Sequence, residues 1–215
     1  MSRRIVVIAA LAALAASPVF AQNPKIEVSG LFGYTLSEGV PINSTANGVV
    51  YTDAGPASSM TYGFTAGVYV TPNFEVEFLW SRQATQLNVV GNTKTLSGDM
   101  NIDTYHGNLV YNFGDPEGMV RPFAFVGVGA NSYSDVAFPT KTVTGLTRFS
   151  WALGGGVKVF PAKNVGFKAQ ARWTPTYVKT DGYGWWCDPY WGCVPVGDAQ
   201  YSHQFDMSAG VVVRF

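Results

Sequence analysis

Ten residues, Gly184 to Cys193 (GWWCDPYWGC), hold both cysteines of this 215-residue chain together with four aromatic side chains and a proline. Such a pair of thiols could clamp a metal, cycle between redox states or close a disulfide. A tetrahedral metal site needs further Cys or His ligands, and only Asp188 lies close by. The spacing of Cys187 and Cys193 is also not the C-x-x-C arrangement that tunes thiols for exchange. The two histidines, His106 and His203, are the other candidates for chemistry. YSHQFD brings Ser202, His203 and Asp206 close in sequence. Neighbouring side chains of a strand point to opposite faces, however, so a Ser202–His203 nucleophile and base do not meet. His203 and Asp206 are likewise of opposite parity, and His106 is followed two places on by Asn108 rather than by a serine. No acid–base constellation assembles from this spacing. The chain is read as not an enzyme, with no metal and no cofactor indicated.

What such a loop does depends on which compartment it faces, and the first residues bear on that. Arg3 and Arg4 precede a charge-free apolar run, and Val19-Phe20-Ala21 offers a small-residue cleavage signal. Residues 1–21 therefore read as a signal peptide for general secretion, with the mature chain, 22–215, starting at Gln22. The apolar run is short for a spanning helix and is interrupted by Ser17 and Pro18, which disfavours a membrane anchor. Lys plus Arg number 14 and Asp plus Glu 14, so no basic footprint for nucleic acid exists. Charged residues make up 13% of the chain, about half the usual share, while aromatics reach 14%. No stretch after residue 21 reads as a helical span, so a membrane form must be a closed sheet.

Periodicity supports the closed sheet. In TYGFTAGVYV, Tyr62, Phe64, Ala66, Val68 and Val70 alternate with Thr61, Gly63, Thr65, Gly67 and Tyr69. After Thr71-Pro72-Asn73 the pattern resumes, with Phe74, Val76, Phe78 and Trp80 on one side and Glu75, Glu77, Leu79 and Ser81 on the other. Eight such segments are expected, at about 25–37, 60–70, 74–86, 101–113, 120–132, 147–160, 165–180 and 201–215. Their connections alternate: TPN, GDPEGM and PAKN are short, whereas 38–59, about 87–100, about 133–146 and 181–200 are long. Short turns on one rim and long loops on the other are the mark of a transmembrane β-barrel. The predicted fold is all-β, an eight-stranded antiparallel up-and-down barrel with periplasmic turns and four extracellular loops. A soluble barrel would need the aliphatic face turned inward and the charged face in water.

FDMSAGVVVRF alternates to a terminal aromatic, Phe215, and resembles the assembly signal of outer-membrane proteins. YGFTAGVYVTPNFEVEFLW likewise resembles the second and third strands of small outer-membrane barrels of the OmpA/OmpX-like, porin-family type. The resemblance spans the mature chain and implies an address in the outer membrane. It also implies contact with lipopolysaccharide, and assembly by periplasmic chaperones and the barrel-assembly machinery. It names no activity, because structural barrels, adhesins, narrow channels and a few enzymes share the architecture. The chain ends on the eighth segment, so no peptidoglycan-binding domain is expected.

With the oily faces toward lipid, the inward set contains Glu27, Glu75, Glu77 and Asp206 against Lys158, Lys168, Arg172 and Arg214, besides His106, Asn108, Asn112, Ser150, Gln170 and Gln204. Eight strands enclose a space that side chains just fill. Buried charges need partners, so a network of ion pairs is expected rather than a wide pore. The facing of the fifth segment is open: Phe123 and Phe125 point inward only if glycines such as those of LGGGV make room. Trp80, Trp151, Trp173, Tyr177 and Tyr201 are expected to form the outer aromatic girdle, and Phe74, Tyr111, Phe113, Phe160 and Phe215 the inner one.

The geometry puts Cys187 and Cys193 in the fourth outer loop, where an oxidising compartment makes a disulfide the simplest state. Trp185, Trp186, Tyr190 and Trp191 then either close the barrel mouth or form a rigid contact surface for an unknown external ligand. Three functions stay open: a structural or surface-interacting barrel, a narrow porin-like channel, and a lipid A-modifying enzyme.

Overall fold

The computed structural model describes residues 26–46, 49–93, 95–138, 141–178, 187–188, 192–193 and 200–215. Residues 1–25, where the signal peptide is expected, and Trp185, Trp186, Tyr190 and Trp191 lie outside them. The strands are β1 (Ile26–Ser37), β2 (Val40–Ala46), β3 (Val49–Pro56), β4 (Ser59–Tyr69), β5 (Phe74–Gly91), β6 (Thr95–Asn112) and β7 (Val120–Tyr133). They continue as β8 (Val136–Phe138), β9 (Lys141–Val143), β10 (Leu146–Val159), β11 (Val165–Val178), β12 (Cys187–Asp188), β13 (Gly192–Cys193) and β14 (Gln200–Arg214). Eight of them, β1, β4, β5, β6, β7, β10, β11 and β14, pair antiparallel in chain order, and β14 returns to β1 to close the barrel. Closure gives each of these eight strands a neighbour on both sides, which is what lets a sheet cross lipid.

The two faces obey the alternation of the sequence. Val28, Phe32, Phe64, Phe78, Leu109, Val126, Leu153 and Met207 are exposed on the outer wall, while their neighbours turn into a polar lumen. Short connections join strands at the rim that carries both chain ends of the barrel. The 70–73 turn is tied by Val70 N to Phe74 O at 2.9 Å and by the Thr71 hydroxyl, which accepts from Phe74 N at 3.0 Å. In the 113–119 turn Gly114 takes a φ of +83°, a left-handed conformation that glycine adopts without steric cost.

At the opposite rim the structure corrects one expectation. Residues 87–100 are not a long loop; β5 and β6 run on as a hairpin, in unbroken register from Phe74↔Tyr111 to Val90↔Thr95. The β2–β3 hairpin joins this extension through β3, and β8–β9 flanks its other side. The reason lies in solvent. Within the bilayer the wall is apolar outside and polar inside, and beyond Arg82 and Asp103 the two faces exchange character. Leu87, Met100, Ile102, Tyr133 and Val136 form a buried cluster inside the mouth, while Gln86, Asp99 and Asn101 stand outside in water.

The β2–β3 hairpin carries an electrostatic conflict. Burial first, and the nearby Glu38 second, raise the Asp53 carboxyl above its ordinary value of 3.8. A raised folded-state value means that this carboxyl contributes stability at pH below 3.8 and loses it as the pH rises through the folded value. Asp53→Asn is therefore expected to slow amide exchange of β2 and β3 at neutral pH and to change nothing at pH 3. Equal exchange at both pH values in the two proteins would rule the conflict out.

Candidate functional site

The lumen is the candidate site, and alternation along the strands builds it. At the end that carries the short turns, Glu27 on β1, Tyr69 on β4, Glu75 on β5, Lys158 on β10 and Arg214 on β14 converge, all nearly inaccessible to solvent. The Lys158 ammonium bonds Glu27 and donates to Glu75 Oε2 at 2.7 Å. Arg214 places Nε and one terminal nitrogen on Glu27 Oε1 at 2.9 and 2.8 Å. Tyr69 donates to that same oxygen at 2.8 Å, and Asn112 donates to Glu75 at 3.2 Å. Lys158, Arg214, Glu27 and Glu75 thus each meet an opposite charge, the condition under which burial is tolerated.

One layer higher, Lys168 bonds Glu77, which also accepts from Asn108 at 3.0 Å. Phe123 lies between the layers, with the Lys158 and Lys168 ammonium groups 5.4 and 5.3 Å from its ring centre. A desolvated cation over an aromatic face is attracted by the ring quadrupole. Phe123 and Phe125 are both buried and stack at 6.2 Å, whereas Val126 and Val128 face outward, which decides the facing of β7. Room for Phe125 comes from Gly154, where a Cβ would collide with the Phe125 ring.

The facing of β7 brings in a residue absent from the expected set. Arg121 shares the parity of Phe123 and is 2% exposed, donating to the Tyr69 hydroxyl at 3.3 Å and to Pro72 O at 3.0 Å. Fixing Phe123 inward would have placed it by parity alone. Phe160 requires a correction too. It is buried at the turn rim with the Arg214 guanidinium 4.1 Å above its ring, so it belongs to the lumen and not to the inner girdle. It has the parity of Lys158, and the two face the same way.

The middle of the lumen is tied more loosely. Arg172 reaches Ser81 at 3.1 Å but stands 3.8 Å from Asp206, whose oxygens accept from Thr35 and Ser208 at 3.0 Å. Arg172 Nε and one terminal nitrogen, and both side-chain polar atoms of Gln170, have no protein partner among the described residues. Two cavities of about 10 Å³ border Arg172, each with room for a single water. His106 Nε2 shares a 2.8 Å hydrogen bond with Ser150 Oγ. That pair was not anticipated as a pair, although both residues were expected inside. Both are fully buried, and among the described residues Nδ1 has no hydrogen-bond partner, so a nucleophile has neither access nor an orienting carboxylate there. His203 faces outward, stacked on Trp173 at 5.6 Å within the outer girdle.

Cys187 and Cys193 sit directly opposite each other in the two-stranded β12–β13 ladder.

A closed eight-stranded wall with an apolar exterior and a charge-paired interior is the form of a small membrane barrel, and the sequence carries the matching family pattern. Residues 6–215 match the family model described as outer membrane protein beta-barrel domain. The chain belongs to that family. Its fold is similar to Neisserial surface protein A, with a TM-score of 0.54, 16% identity, and coverage of 89% of this chain and 97% of that one. OprG from Pseudomonas aeruginosa gives a TM-score of 0.64 at 13% identity, covering 89% and 96%. The N-terminal barrel of OprF from the same organism gives 0.50 at 15%, covering 89% and 97%. No curated protein matches the chain in sequence. The protein is an outer-membrane β-barrel.

Proposed function

We propose that this barrel is a plugged wall element of the outer membrane whose extracellular strands and loops make surface contacts. The observation that carries the reading is the charge-paired plug of the lumen. Lys158, Glu27, Glu75 and Arg214 fill the periplasmic end, and the Leu87, Met100 and Ile102 cluster lines one side of the mouth. An ion would have to break paired charges to pass. Residues 1–21 would be removed on export, and Phe215, exposed at the barrel rim, would be read by the chaperones and machinery that insert it.

A disulfide between Cys187 and Cys193 fits this role, because directly opposed antiparallel residues have Cα atoms about 4.5–5.5 Å apart, within disulfide range. It would close Tyr190 and Trp191 into one small loop, with Trp185 and Trp186 immediately before it, as an external contact surface or a cover for the mouth. A narrow channel is the second reading, favoured by the loosely held Arg172 and the water-sized spaces beside it. Planar-bilayer recording of the refolded protein separates the two. The plugged barrel predicts no unitary steps, and stable steps would establish the channel instead.

A further inference from the structure

Halfway along the lumen, Gln170 and Arg172 stand two residues apart on β11 and face the same way, 6% and 4% exposed. Among the described residues, Nε and Nη1 of Arg172 have no acceptor, and Gln170 has neither an acceptor for Nε2 nor a donor for Oε1. The two spaces of about 10 Å³ lie against these groups. Gln170 and Ser208 line the lower one, Gln83 and Gln204 the upper one, and Arg172 and Asp206 line both. Bonded side chains stand beyond each. Above, Gln204 donates to Gln83 at 3.1 Å and accepts from Asn131 at 3.1 Å, while Asn131 also donates to Thr176 at 2.7 Å, so a belt of amides crosses the lumen. Below, Glu77 is held by Lys168 and Asn108.

We propose that these spaces bind two ordered waters, the lower bridging Gln170 to Arg172 and the upper bridging Arg172 to Asp206. The groups in need of partners include donors on Arg172 and Gln170 and an acceptor, Gln170 Oε1. A metal cation offers the guanidinium no acceptor and a halide offers Oε1 no hydrogen, whereas water supplies both. Each space has the volume of a single water and offers it the two or more polar contacts that a buried water needs. Net charge alone would favour an anion, because Arg121, Lys158, Lys168, Arg172 and Arg214 are buried against only Glu27, Glu75, Glu77 and Asp206 among the described residues. Asp206, on the wall of both spaces, opposes it. Arg172 Nη2 is 3.8 Å from Asp206, too far for a hydrogen bond, so a water on the free nitrogens completes the pair. The inference rests on the plugged reading of the lumen, since a conducting lumen would hold a continuous file of water in place of two molecules kept apart by Arg172.

The test is diffraction from crystals of the refolded full chain grown in sodium bromide, at a resolution that shows ordered water, for the wild type and Gln170→Met. The substitution keeps the length of the side chain and removes both polar atoms, and heat-modifiable gel migration verifies that the variant is folded. The wild type is expected to show one water on each side of Arg172 and no anomalous bromide signal there. Gln170→Met should lose the lower water and keep the upper one, and oxygen-17 relaxation dispersion in micelles should count about one long-lived water fewer per chain. Arg172 seated directly on Asp206 with both spaces dry would overturn the proposal, as would bromide beside Arg172 or a lower water that persists in Gln170→Met. A continuous file of water in the wild type would overturn it too. Bilayer recording tests the plug and diffraction tests the waters, so the two readings can fail separately.

Discussion

Lys158→Met is expected to lower the unfolding free energy by about 3–5 kcal/mol, the cost of leaving a buried charge without its partner. The substitution conserves most of the side-chain volume, so the loss is electrostatic. Glu27 keeps Arg214 and Tyr69, whereas Glu75 is left, among the described residues, with Asn112. Glu75 is therefore the orphan, and Lys158→Met/Glu75→Gln should be more stable than Lys158→Met alone. Urea unfolding of the refolded protein in lipid vesicles measures both. If the double variant lost the sum of the two single losses, the pair would be uncoupled and the picture of a mutually dependent cluster would fail.

Ile102→Ala should cost about 2–5 kcal/mol, as truncation of a fully buried aliphatic side chain does. Here the loss should be local. Ile102 packs with Leu87, Met100, Tyr133 and Val136 above the membrane, apart from the ion pairs below. Hydrogen exchange of the extended β5 and β6 should accelerate, while amides around Glu75 and Lys158 keep their protection. Uniform acceleration through the whole barrel would show that the mouth and the spanning wall form one cooperative unit.

The spanning part of the fold was legible because lipid imposes a strict two-residue period. Each of the eight barrel strands could be placed, and the same period sorts the buried Glu27, Glu75, Glu77, Lys158 and Lys168 from their exposed neighbours. What escaped notice did so for physical reasons. The ends of β5 and β6 were lost where their outward face turns from Trp80 to Arg82 and their inward face from Ser81 to Leu87, because a reading tuned to oily-outside strands sees the pattern stop there. Arg121 was missed because Gly127 and Gly129 leave the facing of β7 ambiguous until Phe125 is seated against Gly154. The His106–Ser150 pair joins residues 44 apart, and no local pattern encodes which inward residues meet across the lumen.

The exchange of faces along β5 and β6 has a mechanical consequence. Sinking the barrel by two residues would drag Arg82 and Asp103 into hydrocarbon, and raising it by two would lift Trp80 and Tyr105 into water. Either displacement is opposed around that side of the barrel at once, although no residue there grips the membrane by itself. The point where oil and water change sides thus works as a depth stop, setting how far the outer strands stand above the surface and so how far from the cell their contacts can reach.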